Sequence, residues 1–200
     1  MSHFTVLVIG NNPEQSLAPY HEFECTCTDD QYVQEIDITS EILADIKERG
    51  SVEEVVIYNF GDDSIVSDES ELDLEGQHTF GYAIVRDGEL IKAVRRTNPN
   101  AKWDWYQLGG RWDGFFLHKS GIRTNSLKKG EIDFAGMLAD KTFFSPYAII
   151  HENTWISKGE MGWWGISNDA MTQEQWDEKV SELISELPDD TMLSLYDCHI

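Results

Sequence analysis

The feature that most constrains the fold is the run FGYAIVRDGELIKAVR at 80–95, in which two segments rich in β-branched and aromatic residues flank Asp87-Gly88. Asp-Gly favours the positive φ angles of a two-residue type I′ turn, so 80–86 and 89–95 are predicted to form an antiparallel hairpin. Strand character recurs at both ends of the chain. Residues 3–9 alternate and stop at Gly10, Asn11, Asn12 and Pro13, giving a first strand. Residues 192–200 form a terminal strand, with Leu193, Leu195, Asp197 and His199 on one face and Met192, Ser194, Tyr196 and Cys198 on the other.

Between these strands the periodicity changes. Thr39 or Ser40 caps a helix over 40–49, where Ile42, Leu43 and Ile46 make an apolar stripe and Gly50 ends it. Thr172 and Gln175 make a capping box for a last helix, with Trp176, Val180, Leu183, Ile184 and Leu187 on one face and Pro188 after it. Ile132, Phe134, Met137 and Leu138 mark a short helix, and further strands are expected at 55–58 and 147–150. Residues 11–34 read as irregular, and 61–76, dense in Asp, Glu and Ser, as an exposed, mobile acidic loop. The pattern predicts an α+β fold: a mixed or antiparallel sheet, with a ferredoxin-like core as one form of it, covered by two or three helices on one side. With 200 residues and no linker or repeat, the chain is expected to be a single domain over 1–200.

A formal charge of -22 repels nucleic-acid phosphates at long range and argues against duplex DNA as a partner. The charge is unevenly spread. Residues 86–129 hold ten basic residues, Arg86, Lys92, Arg95, Arg96, Lys102, Arg111, Lys119, Arg123, Lys128 and Lys129, against four acids, giving +6 and leaving -28 elsewhere. Two readings are open: a basic sheet face balancing acidic neighbours, or a site for an anion.

Within this island lies NPNAKWDWYQLGGRWDGFF, 98–116. Trp103, Trp105, Trp112 and Tyr106 offer flat faces for a planar ring, Lys102 and Arg111 offer donors to phosphate, and Gly109-Gly110 lets backbone N–H groups come close. Asp104 belongs to the same segment. The aromatics are equally suited to the core, with Gly-Gly serving a tight turn. A second cluster, GEMGWWG at 159–165, adds Trp163 as a wall of the pocket or as packing. If the first and last strands pair antiparallel, His3 comes beside His199, and the two could act as acid and base on a phosphodiester, or bind a metal with Asp197.

The three cysteines are an odd number, Cys25 and Cys27 are too close for an ordinary disulfide, and a reducing cytoplasm fits best. His21, Cys25 and Cys27 lack a second pair at zinc spacing, so neither metal nor cofactor is expected. The apolar opening is too short for a signal or membrane span. Walker, dinucleotide, HExxH and GxSxG signatures are absent from the sequence.

The opening SHFTVLVIG, the central NPNAKWDWYQLGGRWDGFF, and GEMGWWG with the closing DCHI together resemble a family of uncharacterised proteins of bacteriophages and mobile elements. The resemblance implies a phage-encoded protein in the host cytoplasm, where small accessory proteins often counter immunity. The function expected on both grounds is counter-defence, by binding or cleaving a nucleotide-like anionic immune signal through the Trp/Lys/Arg segment, the enzyme then being a phosphodiesterase-type hydrolase. The alternative is an acidic nucleic-acid mimic that inhibits a host defence protein. A small anion, a host defence protein and a second copy of the chain are the partners considered, and membrane is not.

Overall fold

The computed structural model describes residues 2–23, 31–161 and 167–200. In chain order the elements are β1 (His3–Ile9), α1 (Pro13–Leu17), β2 (Gln34–Asp37), α2 (Thr39–Arg49), α3 (Val52–Phe60), β3 (Ile65–Val66), β4 (Gly81–Arg86), β5 (Glu89–Thr97), β6 (Trp105–Leu108), β7 (Phe116–Leu117), β8 (Arg123–Thr124), β9 (Ser126–Lys128), α4 (Phe134–Ala139), β10 (Ala148–His151), β11 (Thr154–Ser157), β12 (Gly159–Met161), β13 (Ser167–Asp169), α5 (Gln173–Glu186) and β14 (Met192–His199). The fold is α+β with mixed sheets, as the sequence predicts. The chain divides into two compact units, Met1–His21 with Lys102–Ile200, and Glu22–Ala101. Along the chain the second unit is an insertion within the first.

The first unit is built on its two ends. β1 pairs antiparallel with β14 over its whole length and parallel with β10, which turns back into β11. The far edge of β14 carries β9 beside Met192–Ser194 and β6 beside Tyr196–His199. Residues 4–9 and 193–198 are buried without a break, as strands covered on both faces must be. On one face Leu7, Ile149, Leu193 and Leu195 pack beneath Trp176, Val180 and Ile184 of α5 and Met137 of α4. On the other, Phe4, Val6, Val8, Ile150, Tyr196 and Cys198 meet Leu17, Tyr20 and Trp103. Helices therefore lie on both faces, since the stretch read as irregular contains α1 and the 3-10 turn Ala18–Tyr20.

In the second unit the strand order is β2-β5-β4-β3. Asp87 and Gly88 both have positive φ, 51° and 81°, and join β4 to β5 as the Asp-Gly pair requires. Ile42 of α2 and Val55 and Val56 of α3 bury one face against Ala83 and Ala93. Residues 55–58, expected as a strand, are thus the middle of a helix. Ser51 caps it by accepting the N–H of Glu54 at 3.2 Å, and Glu53 and Glu54 sit in its first turn. The β-branched run costs a few tenths of a kcal/mol per residue in a helix. Burying each Val contributes about 1.5–3 kcal/mol, so packing decides.

The acidic stretch 61–76 is also more ordered than its composition suggests. β3 pairs parallel with β4, Ser64 and Val66 are buried, and Asp68 caps a 3-10 turn by accepting the N–H of Ser70. No helix among the described residues is long and apolar enough to cross a membrane.

α5 anchors the first unit's core through Trp176, fully buried, whose indole N–H donates to the Pro146 carbonyl at 2.7 Å. Trp176→Ala is expected to lower stability by about 3–5 kcal/mol, read as a lower urea midpoint with the capping box intact.

Candidate active site

The cationic island separates into two populations. Four cations of the hairpin face acids of their own unit: Arg86 with Asp68, Lys92 with Glu69, Arg95 with Glu41 and Arg96 with Glu35. In the other unit Arg123 meets Asp140 and Lys129 meets Asp189. The hairpin therefore behaves as a balanced basic face. Lys102 and Arg111, both in the first unit, have no acidic partner for their side chains among the described residues, and Arg111 is exposed.

A different set of residues converges. The β1–β14 register places His3 opposite His199, and the β14–β6 register places His199 opposite Trp105. The row beneath is Thr5, Asp197 and Gln107. Because side chains alternate across a strand, all six lie on one face. The two imidazoles are in edge contact, with centroids 5.0 Å apart, and Trp105 is edge-on to His3 at 5.9 Å.

Each imidazole is held by its own carboxylate. His3 Nδ1 donates to Asp197 Oδ1 at 2.7 Å, and His199 Nδ1 donates to Asp104 Oδ1 at 2.6 Å. The carboxylate partner fixes the proton on Nδ1 and leaves Nε2 as the reactive nitrogen of each ring. The His3 and His199 side chains retain 16% and 13% exposure, whereas Asp197 is buried at 1%. Its second oxygen, Oδ2, accepts the backbone N–H of Arg111 at 3.0 Å.

That last bond explains Gly109-Gly110. Gly110 has φ +52°, and a Cβ there would stand 2.4 Å from the Asp197 Cβ; one on Gly109 would meet the Asn125 amide at 2.2 Å. The glycines let the backbone reach Asp197 and Asn125, where the sequence suggested close approach to a ligand. Asn125 continues the same scaffold by accepting the Gly114 N–H and donating to Asp113.

Most of the aromatics assigned to ligand stacking are core. Trp103 is 5% exposed, donates its indole N–H to the Leu17 carbonyl at 3.2 Å and stacks on His21 at 4.5 Å. Tyr106 lies on the face opposite the histidines, against Trp103 and Tyr196, and burial raises its hydroxyl pKa. Burial pushes Tyr196 up to about 12. Trp112 is half-buried beside the α5 core and Phe144. Trp105, 46% exposed, is the one that stands at the histidine pair. Lys102 is half-buried just before β6, its backbone N–H donating to Tyr20. Trp163 lies outside the described residues, as do Cys25 and Cys27.

Asp104, assigned by sequence to the ligand, accepts the His199 Nδ1–H through its Oδ1. Its place one residue before Trp105, the register partner of His199, brings it there. Cys198 points to the opposite face and is fully buried; burial, then Asp197, raises its thiol pKa, so it is no nucleophile at neutral pH. Among the described residues no group of three or more His, Cys, Asp and Glu side chains is placed to hold a metal ion.

Fold and site together define an α+β protein with two carboxylate-held imidazoles at one corner of its central sheet. Comparison with protein-family models, curated protein sequences and solved structures finds no match.

Gly110→Ala is expected to push the 110–112 turn off Asp197 and release the His3 ring, seen as a change in the His3 imidazole nitrogen shifts by NMR. Arg111→Ala should leave those shifts in place, because the donor to Asp197 is its backbone N–H.

Proposed function

We propose that the protein cleaves a phosphodiester bond in a nucleotide-like ligand by paired imidazole catalysis at His3 and His199. The single observation that carries this reading is the cross-strand His3–His199 pair, each ring held through Nδ1 by a separate carboxylate. Phosphodiester cleavage needs a proton taken from the attacking oxygen and a proton given to the departing one. Two adjacent imidazoles, one neutral and one protonated, supply both transfers. Asp197 and Asp104 act as positioning residues, Trp105 offers an exposed face to a base, and Arg111 and Lys102 attract the phosphate.

In the setting implied by the resemblance to phage and mobile-element proteins, the ligand is a nucleotide immune signal and the protein works in the host cytoplasm. His199→Ala is expected to reduce kcat about 10²–10⁴-fold. Its partner Asp104 is partly exposed, which spares the fold a buried unpaired charge. The kcat/KM profile of the wild type should be a bell against pH, because one ring must be neutral and the other charged. Asp104→Asn should lower kcat with little change in KM, since it inverts the tautomer of His199. A flat pH profile, or full activity in His199→Ala, would remove the imidazole pair from the chemistry.

A second reading draws on α5. Glu174, Glu178, Glu182 and Glu186 are all exposed and recur every four residues, about 6 Å apart along the helix. Such a ladder suits an acidic mimic that occupies a basic groove on a defence protein. On this reading, host proteins captured at low salt should be released at high salt and should not bind a Glu178→Lys/Glu182→Lys variant. Capture unaffected by both would count against mimicry.

A further inference from the structure

We infer that the substrate is a ribonucleotide phosphodiester whose own neighbouring hydroxyl is the nucleophile, so that the product is a cyclic phosphate. This deepens, and rests on, the reading of His3 and His199 as the acid–base pair.

The argument turns on what can hold the attacking oxygen. Both Nδ1 atoms are committed to carboxylates, so the pair presents two Nε2 atoms. One must serve the nucleophile and the other the leaving group. The row beneath adds no further base: Asp197 is engaged at both oxygens, Thr5 Oγ1, 5% exposed, accepts the Tyr147 N–H at 3.1 Å, and Gln107, exposed, carries an amide that can hold a hydroxyl but takes up no proton. A water molecule would have to be oriented by the imidazole that deprotonates it, with the Gln107 amide as the one further polar group of the row left to hold it. A hydroxyl on the sugar carbon next to the phosphate ester is delivered already in place, and intramolecular delivery is equivalent to a very high local concentration of nucleophile. The site is therefore built for a substrate that carries its nucleophile with it.

The step balances without a co-reactant. Nε2 of one imidazole takes the proton of the ribose hydroxyl as its oxygen bonds to phosphorus, and the bond from phosphorus to the departing ribose oxygen breaks. That oxygen takes the proton held on Nε2 of the second imidazole. The products are a 2′,3′-cyclic phosphate and a free hydroxyl, and proton exchange with solvent resets the two rings. Both 3′,5′ and 2′,5′ linkages have the required hydroxyl. A pyrophosphate bridge, as in NAD or ADP-ribose, lacks it at the right distance, as does a deoxyribose linkage. Trp105, in register with His199 and edge-on to His3, would receive the base flanking the scissile phosphate.

The test uses the full-length wild type, with His199→Ala prepared identically as the control for contaminating nuclease. The probes are the dinucleotide ApA, 3′,5′-cyclic di-AMP and 2′,5′-linked cyclic GMP-AMP, the 2′-deoxy and 2′-O-methyl forms of ApA, and NAD, with products followed by ³¹P NMR and mass spectrometry in ¹⁸O water. The expected result is cleavage of at least one ribonucleotide to a cyclic phosphate free of ¹⁸O in its first-formed product. The blocked forms and NAD should react at least about 10³-fold more slowly, and the His199→Ala control should be inactive. Comparable cleavage of a deoxy or 2′-O-methyl probe, or a linear first product carrying ¹⁸O, overturns the internal nucleophile and leaves the imidazole pair standing. Failure to cleave any probe overturns both.

Discussion

The site depends on a carboxylate buried where water cannot reach it. Taking an aspartate out of solvent costs several kcal/mol unless its charge and lone pairs are met, and Asp197 at 1% exposure is met twice, by the His3 imidazole and by the Arg111 N–H. The first contact requires β1 and β14 to pair in the observed register. The second requires a backbone with no Cβ at Gly110. Terminal-strand pairing, the Gly-Gly turn and the orientation of His3 are thus one solution to one electrostatic problem.

Much of this was legible in the sequence, and what was not has a physical cause. The hairpin, β1, β14 and α5 announce themselves because their signals are local: a turn dipeptide, a period of two, a capping box. The meeting of His3 and His199 followed from the antiparallel pairing of the outermost strands. α3 was missed because its β-branched run looks like a strand, and what favours the helix is the core it packs into, with Ile38, Ile42, Ala83, Leu90 and Ala93, residues distant in sequence. The tryptophans could not be sorted because Trp103 and Trp105 are two residues apart in nearly identical surroundings. Trp103, ahead of β6, stacks on His21 in the core, whereas Trp105 enters the strand in register with His199 on the exposed histidine face. The Asp104–His199 bond joins residues 95 apart and carries no local mark.

The charge contrast of the sequence divides between the two readings left open for it. The hairpin half of the basic island balances acids on β2, α2 and the 61–76 stretch. Exposed pairs of this kind contribute little individually, and their effect is to neutralise rather than to fasten. The island cations that meet no carboxylate among the described residues are Lys102, Arg111, Lys119 and Lys128, and all four belong to the unit that carries the histidines. Local attraction against an acidic whole favours a small anion over an extended polyanion.

The site also stands out against its own sheet. Along one face β14 reads Leu193, Leu195, Asp197, His199, and β1 reads Ile9, Leu7, Thr5, His3, so both strands change from apolar to polar at the same level. β6 adds Gln107 and Trp105 there. A sheet built for stability alone would have continued in leucine and isoleucine, since a buried ion pair is often matched or exceeded by apolar residues of similar volume. Two paired strands abandoning the apolar pattern at the same level is a departure that stability does not explain. Such local departures are expected at functional sites, and what they assemble here is two imidazoles whose Nε2 atoms have no hydrogen-bond partner among the described residues.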